Sequence, residues 1–167
     1  VWTRILLLFV RGGRPRDESE LPPLERLRAD ILQTAGVALG SVRAILAADL
    51  LGRARYVAEV LGEPGRMARV LAYDAASMAV TSQRFRERRT QLFRRAMRLA
   101  EDVGRPEVVA VVHYCEGMGA YLGGRWSKSL EHLGIAERIF QEQVADVPAE
   151  RRTLQGLRVF LLFELGR

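Results

Sequence analysis

Apolar residues recur along most of the chain at the spacing of amphipathic helices. Between residues 85 and 103, and again between residues 126 and 140, they fall within about a third of a helix circumference. No stretch alternates apolar and polar residues as paired strands with hairpin turns would. The pattern predicts an all-α protein.

Helix punctuation repeats along the chain at a fixed interval of 42 residues. One column holds prolines and a second holds small residues: Pro22, Pro64, Pro106 and Pro148, then Gly40, Ser82, Gly124 and Gly166. A constant interval of this size is typical of proteins built from repeated helical units. The fold class predicted is a right-handed α-solenoid of helix-turn-helix repeats.

Two four-residue stretches, 61–64 and 103–106, share an apolar residue, a glycine, a charged residue and a proline. Glycine ends helices because it tolerates positive φ, and proline suits the first helical turn, where its missing N–H has no partner to lose. Each stretch is therefore predicted to be a tight joint between two helices.

These joints divide the chain into an N-terminal helix with a charged connector (1–21) and repeat units 22–63, 64–105, 106–147 and a partial 148–167. The first helices of the units are predicted at 24–39, 65–81, 107–122 and 149–165, and the second helices at 42–61, 84–103 and 126–144. Because the chain starts at Val1 and the last unit lacks its second helix, we expect a segment of a larger protein.

Two neighbouring columns of the repeat carry further expectations. Ala75 and Gly117 share a mid-helix position, where glycine costs about 1 kcal/mol, so we expect close contact with a neighbouring helix there. Asp74 and Glu116 share the preceding position. We interpret each carboxylate as forming an ion pair with an arginine of a neighbouring repeat. The alternative is that the two carboxylates share an acid/base role.

Composition narrows the class of protein only slightly. The net charge is +6, yet Lys128 is the single lysine among 26 basic residues. We attribute the positive charge to this bias towards arginine and do not take it as evidence for nucleic-acid binding. Cys115 is alone, so no intrachain disulfide forms, and a cytoplasmic location is expected. The apolar run 5–10 is too short to cross a bilayer.

The third unit resembles a tetratricopeptide repeat. Gly117 is followed after seven residues by Gly124 and then by Trp126, with small and apolar residues continuing at Ser129, Leu130, Leu133 and Ala136. The unit departs from that family in its period, which is longer than the family's, and in its proline, which marks the start of the first helix.

A narrower resemblance covers most of the chain. Residues 62–64, 66–76, 110–126 and 158–162 are similar to the C-terminal region of large bacterial serine/threonine protein kinases, in which a P-loop ATPase-like module and a helical-repeat tail follow the kinase domain. This chain contains neither the phosphate-binding loop nor the kinase signature sequences. The resemblance implies a sensing or docking tail.

The sequence assigns no catalytic residue, metal ligand or cofactor to this segment. His113 and Cys115 lie on one predicted helix with no ligand spacing around them, and His132 is the only other histidine. We interpret Cys115 as a small buried residue and His113 as structural, with ligand contact as the alternative for His113.

Two sets of residues are candidates for partner binding. If the repeats curve as tetratricopeptide arrays do, the groove contains Arg69, Tyr114, Met118 and Tyr121. The alternative is that Met118 and Tyr121 belong to the core between repeats. Arg84, Arg88 and Arg95 share one face of a helix and are predicted to dock an acidic partner. The alternatives are a solvated surface or a nucleic-acid site. Against nucleic acid, no exposed aromatic residues are interleaved with these arginines.

The function predicted is non-catalytic protein–protein interaction, as a regulatory or scaffolding segment of a larger bacterial signalling protein that binds a protein, a peptide or a neighbouring domain. Nucleic acid and membrane are not expected partners. The alternative is the ligand-sensing arm of a nucleotide-switch transcription regulator. Self-association is a further possibility, through the apolar face of the last helix: Leu154, Leu157, Val159, Phe160, Leu161, Leu162 and Phe163.

Overall fold

The computed structural model describes residues 18–40, 42–80, 85–144 and 148–166. These residues form seven α-helices with short connections, and none of them belongs to a β-strand. The helices are α1 (Pro23–Leu39), α2 (Ala44–Leu61), α3 (Pro64–Ser77), α4 (Arg86–Val103), α5 (Pro106–Leu122), α6 (Trp126–Glu142) and α7 (Pro148–Glu164). The all-α class is confirmed for this part of the chain, while the helix expected within residues 1–10 lies outside it.

Glycine and proline set the helix ends as the sequence predicts. Gly62 and Gly104 follow α2 and α4 with φ of 72° and 67°, the left-handed conformation that glycine adopts without strain. Pro64, Pro106 and Pro148 are the first residues of α3, α5 and α7. Pro22, by contrast, is the N-cap of α1, and Pro23 is its first helical residue.

The end of α3 differs from the prediction of a helix continuing to residue 81. The α-helix ends at Ser77, and a short 3₁₀ segment follows at Met78–Val80. The Ser77 hydroxyl donates to the Asp74 carbonyl oxygen at 2.7 Å, and the Met78 amide donates to the same oxygen. A serine that bonds back to the preceding turn weakens the regular α pattern, because it competes with the backbone for that carbonyl.

Neighbouring helices pack in chain order as hairpins. The pairs α1/α2, α3/α4 and α5/α6 each pack along their length, and α3 also packs against α5. Each pair contacts the next helix, through α2 with α3, α4 with α5 and α6 with α7. Most buried residues of α3 to α7 belong to one continuous apolar cluster, which also includes two alanines of α2. A smaller cluster, formed by Leu21, Ala29, Val57 and Leu61, lies in the first part of the chain.

Close approach of α5 and α6 depends on glycine. A Cβ placed on Gly117 would lie 2.7 Å from Cδ2 of Leu133 and 3.2 Å from its backbone nitrogen. The Ser129 hydroxyl donates to the Gly117 carbonyl oxygen at 2.8 Å and is fully buried. The small residue at this position therefore serves helix contact, as expected, and Ala75 in the same column is also fully buried.

Charged side chains join helices of neighbouring hairpins. Nη1 of Arg55 on α2 donates to Oδ2 of Asp74 on α3 at 2.7 Å, which confirms the expected arginine partner for Asp74. Glu116 has a different environment, because its Oε1 lies 3.5 Å from Nζ of Lys128 on α6. Arg158 of α7 forms an ion pair with Glu137 of α6.

The last helix buries part of its apolar surface and exposes the rest. Leu154 and Leu161 are fully buried, whereas Val159, Phe160 and Phe163 are exposed. Of the seven apolar residues proposed for self-association, these three are the large hydrophobic side chains that α7 presents to solvent.

A pair of glycine substitutions tests the contact between α5 and α6. We expect Gly117→Ala to destabilise the fold by about 1–3 kcal/mol, because the new methyl group displaces Leu133. Gly134→Ala on α6 is the matched control, since a Cβ at that position meets nothing within 4 Å apart from the adjoining residues of its own helix. The control gains helix propensity, roughly 0.5–1 kcal/mol. Urea unfolding measures both, and equal stabilisation of the two variants would contradict the contact.

Candidate functional site

The structure separates the residues that the sequence places in a groove. Arg69 on α3 lies in a polar cleft, while Tyr114 on α5 is only 7% exposed and packs in the main core. Met118 and Tyr121 are partly buried and pack against the same core. The Tyr121 ring meets the ring of Phe160 on α7 edge to face, with centroids 6.1 Å apart.

The polar cleft has a volume of about 380 Å³ and lies where α1, α3 and the start of α5 meet. Three arginines and two carboxylates contribute to its lining, which consists of Asp30, Gln33, Thr34, Arg66, Arg69, Arg105 and Glu107. Of these residues, Arg69 alone was a candidate from the sequence. The others were missed because they come from three separate segments of the chain.

A buried carboxylate organises one side of the cleft. Glu63 is 3% exposed and accepts hydrogen bonds from the amides of Gly65 at 2.9 Å and Arg66 at 2.5 Å, which caps the start of α3. Its Oε1 also accepts from Nη2 of Arg105 at 3.2 Å, in the next joint of the chain. Glu63 is therefore fully engaged within the fold.

Arg66 connects this carboxylate to the first helix. Its Nε and Nη2 donate to the two oxygens of Asp30 at 3.2 and 3.0 Å, in the side-by-side geometry that favours arginine over lysine. Its Nη1 lies 3.6 Å from Oε2 of Glu63. Since the side chain is almost wholly buried between two carboxylates, its role in the cleft is structural.

Arg69 has no such engagement. Its Nε is buried without a hydrogen-bond partner in the described part of the chain. No described carboxylate forms an ion pair with it, although Arg66 on the preceding turn of α3 has two. Arg69 thus has hydrogen-bonding capacity left in the cleft for a ligand or partner.

The arginines of α4 form a second basic feature. Arg88 and Arg95 are exposed as predicted, and Arg84 lies outside the described residues. Arg94 and Arg98 are exposed beside them, and none of the four forms an ion pair with a described carboxylate. We name Arg88, Arg94, Arg95 and Arg98 the arginine surface.

The two histidines of the chain meet between α5 and α6. Nδ1 of His113 lies 3.2 Å from Nδ1 of His132, and the ring centroids are 5.5 Å apart. Oε1 of Glu116 lies 3.6 Å from Nε2 of His132. Sequence reasoning missed this pair, but a signal existed, because the two residues lie at similar distances from the turn at Gly124 that joins the two helices.

Burial lowers the pKa of both histidines below the ordinary value of 6.5. The charge of His132 lowers the pKa of His113 further, and Glu116 opposes the decrease at both sites. Lys128 and Arg125 also lower the pKa of His132, whereas Glu131 raises it. The pair is therefore held in the neutral form, in which one ring donates and the other accepts.

Other kinds of site receive no support from the described residues. No three of their His, Cys, Asp and Glu side chains come together in a way that could hold a metal ion. None of their helices combines the length and hydrophobicity that crossing a membrane requires. Comparison with protein-family models, curated proteins and solved structures gives no match to this chain.

Removal of the Glu63 carboxylate tests its role in joining the helices. We expect Glu63→Ala to lower the free energy of unfolding by at least about 2 kcal/mol, because the α3 cap is lost and two guanidinium groups lose a buried partner. Glu107→Ala, at a half-exposed cleft carboxylate, is the control and should cost far less. Chemical denaturation of both variants is the measurement, and comparable losses would refute the role.

The histidine pair gives the fold a pH dependence of known sign. Unfolded histidines keep a pKa near 6.5, so below that pH the unfolded state binds more protons than the folded state. Stability is then complete above pH 6.5 and decreases as the pH falls towards the folded-state pKa values. Urea unfolding from pH 8 to 5 measures this, and the double variant His113→Gln, His132→Gln should have a smaller slope. If the free energy of unfolding of the double variant depended on pH as steeply as that of the unaltered chain, other titratable groups would be responsible for the dependence.

Proposed function

We propose that this chain is a non-catalytic interaction segment that binds an acidic protein or peptide, or an acidic region of a neighbouring domain. In this proposal the helices form a right-handed α-solenoid of tetratricopeptide-like units with a period of about 42 residues. The segment belongs to a larger bacterial signalling protein and acts in the cytoplasm, where binding biases the activity of a linked catalytic module.

The packing order of the helices supports the solenoid. Consecutive helices pair as hairpins, and each hairpin contacts the first helix of the next. Pro64, Pro106 and Pro148 begin α3, α5 and α7, the first helices of successive units. An array in which each unit packs only on its neighbours presents long, accessible surfaces, and such surfaces are what repeat proteins use to bind partners.

The arginine surface is the observation that carries the binding proposal. Its four side chains are exposed on α4, which buries Leu92, Ala96 and Ala100 against the rest of the protein. Like charges three or four residues apart destabilise a helix slightly, and none of these four arginines forms an ion pair with a described carboxylate. A partner that supplies carboxylates removes this repulsion, and the positive field accelerates its approach.

The polar cleft favours the alternative, a ligand-sensing arm of a nucleotide-switch transcription regulator. A cleft of about 380 Å³ is large enough for a small polar molecule, and Arg69 has an uncommitted donor there. This alternative places recognition on α3 and leaves the arginine surface as solvated protein surface.

A charge-matched pair of variants tests the proposal. We expect a synthetic Glu-rich peptide to bind the chain at low salt and its Gln-substituted counterpart not to bind. Replacing Arg88, Arg94, Arg95 and Arg98 with glutamine should weaken binding roughly ten-fold or more, because four exposed charges each contribute a fraction of a kcal/mol. Fluorescence anisotropy with a labelled peptide gives the affinities.

The control removes the same number of charges elsewhere, by replacing the exposed residues Arg28, Arg43, Arg53 and Arg138 with glutamine. An equal loss in both variants would assign the attraction to net charge alone. If the Glu-rich peptide does not bind at all, the ligand-sensing alternative gains support. That alternative also requires that small polar anions stabilise the chain against unfolding and that this stabilisation depends on Arg69.

A further inference from the structure

The polar cleft separates α1 from α3. The helix α3 packs against α5, whereas α1 does not pack on α3 in the same way. The paired hydrogen bonds from Arg66 to Asp30 bridge these two helices instead. A space of about 380 Å³ therefore remains where α1, α3 and the start of α5 meet.

The lining of the cleft differs in chemistry from the corresponding positions one 42-residue interval later. The cleft residues of α1 and α3 are polar: Asp30, Gln33, Thr34, Arg66 and Arg69. The residues 42 positions later are apolar and buried in the main core: Ala72, Ala75, Ala76, Val108 and Val111. Polar residues at such positions give up the stabilisation that apolar packing provides, and exchanges of this kind are typical of binding sites.

Arg69 brings an uncompensated positive charge to the cleft. Its Nε is shielded from water and has no hydrogen-bond partner, and none of the described residues accepts a hydrogen bond from the rest of its guanidinium. The side chain is only partly exposed, so water does not fully replace these contacts. Since Arg69 lines the cleft and its Nε is buried, the two terminal nitrogens are the donors left for a ligand there.

The other charges near the cleft are compensated within the fold. Asp30 and Glu63 both form ion pairs with Arg66. Glu63 also pairs with Arg105 at 3.2 Å, and Nε of Arg105 lies 3.4 Å from Oε1 of Glu107. The charge of the third arginine remains, and it favours a ligand with one negative charge. A doubly charged phosphate would meet repulsion from the two carboxylates of the lining.

Two neutral side chains complete the surroundings of Arg69. Asp30 on α1 meets Arg66 on α3, and Gln33 and Arg69 each follow these residues by three positions, which is the spacing of neighbours on one helix face. Neither the amide of Gln33 nor the hydroxyl of Thr34 has a hydrogen-bond partner in the part of the chain that the structure describes. Both groups can donate and accept, so they suit the hydroxyl groups of a ligand.

We propose that the polar cleft binds a small hydroxylated monocarboxylate. The carboxylate accepts paired hydrogen bonds from the terminal nitrogens of Arg69, the geometry that a guanidinium provides, and the hydroxyl groups of the ligand bond with Gln33 and Thr34. The volume of the cleft is typical of small-molecule sites. This inference names the ligand class for the cleft that the alternative function invokes. It requires neither a transcription regulator nor the arginine surface.

Thermal unfolding of the full 167-residue chain with sodium gluconate, a polyhydroxylated monocarboxylate, tests the site. Relative to sodium chloride of the same ionic strength, gluconate should raise Tm saturably, by roughly 5–10 °C at about 100 times the half-saturating concentration. Arg69→Gln should remove most of this shift. Gln33→Ala should raise the half-saturating concentration roughly three- to ten-fold, because one hydrogen bond to the ligand is lost. Arg95→Gln, which makes the same charge change on the arginine surface, should leave the shift unchanged.

The variants also distinguish a binding role of Arg69 from a structural one. Without gluconate, Arg69→Gln should unfold at the same Tm as the unaltered chain or higher, because it removes a poorly compensated cation. If Arg69→Gln does not fold, Gln33→Ala carries the test. Equal stabilisation of Arg69→Gln and the unaltered chain by gluconate would overturn the proposal, as would equal stabilisation by gluconate and chloride.

Inorganic phosphate and acetate test the ligand class. Phosphate of the same ionic strength should stabilise the chain less than gluconate, because its second charge meets Asp30 and Glu107. Acetate should also stabilise less, because it has no hydroxyl groups for Gln33 and Thr34. Stronger stabilisation by either anion would overturn the assignment of a hydroxylated monocarboxylate.

The two proposals fail separately. Loss of Glu-rich peptide binding when the arginine surface is replaced would leave the gluconate result unaffected. Absence of gluconate binding would likewise leave the peptide result unaffected, because the two sites share no residue.

Discussion

The buried carboxylate of Glu63 is the constraint on which the joining of α1, α3 and α5 depends. A carboxylate that is almost excluded from water requires hydrogen-bond donors on all sides, and Glu63 obtains them from two amides of α3 and from the side chain of Arg105. Arg66 extends the network to Asp30 on α1. Because Glu63 and Arg105 come from consecutive joints and Asp30 comes from α1, this one network links α1, α3 and the start of α5. The polar cleft results from this arrangement, and so does the position of Arg69 within it.

Small residues set the second constraint. The main core contains many alanines, and Gly117 allows the backbone of α5 to approach Leu133 of α6 closely. Helices that pack this closely leave little room for long side chains between them, so charged residues collect at the edges of the interfaces. On α4, this leaves the arginine surface in solvent.

Much of the secondary structure could be predicted from the sequence, because glycine and proline act within one or two residues of where they stand. The beginnings of α3, α5 and α7 follow from their prolines, and the ends of α2 and α4 follow from Gly62 and Gly104. The end of α3 was wrong by one turn, since the hydrogen bond from Ser77 to its own helix is not evident in the apolar pattern. The candidate site was predicted only in part. Arg88, Arg95 and Arg69 were identified by type and face, whereas the burial of Tyr114 depends on how closely α5 packs against its neighbours.

The sequence by itself determined where α3, α5 and α7 begin, where α2 and α4 end, and which side of α4 and α6 is apolar. Both depend on steric and hydrogen-bonding preferences that operate over a single turn. Only the tertiary structure decided which polar side chains meet: Glu63 with Arg105, Arg66 with Asp30, and His113 with His132. The free energy of a charged group depends on its burial and on neighbours that are distant in the chain, so Arg66 is buried between two carboxylates whereas Arg88 on α4 is solvated. That difference appears only when the helices are packed.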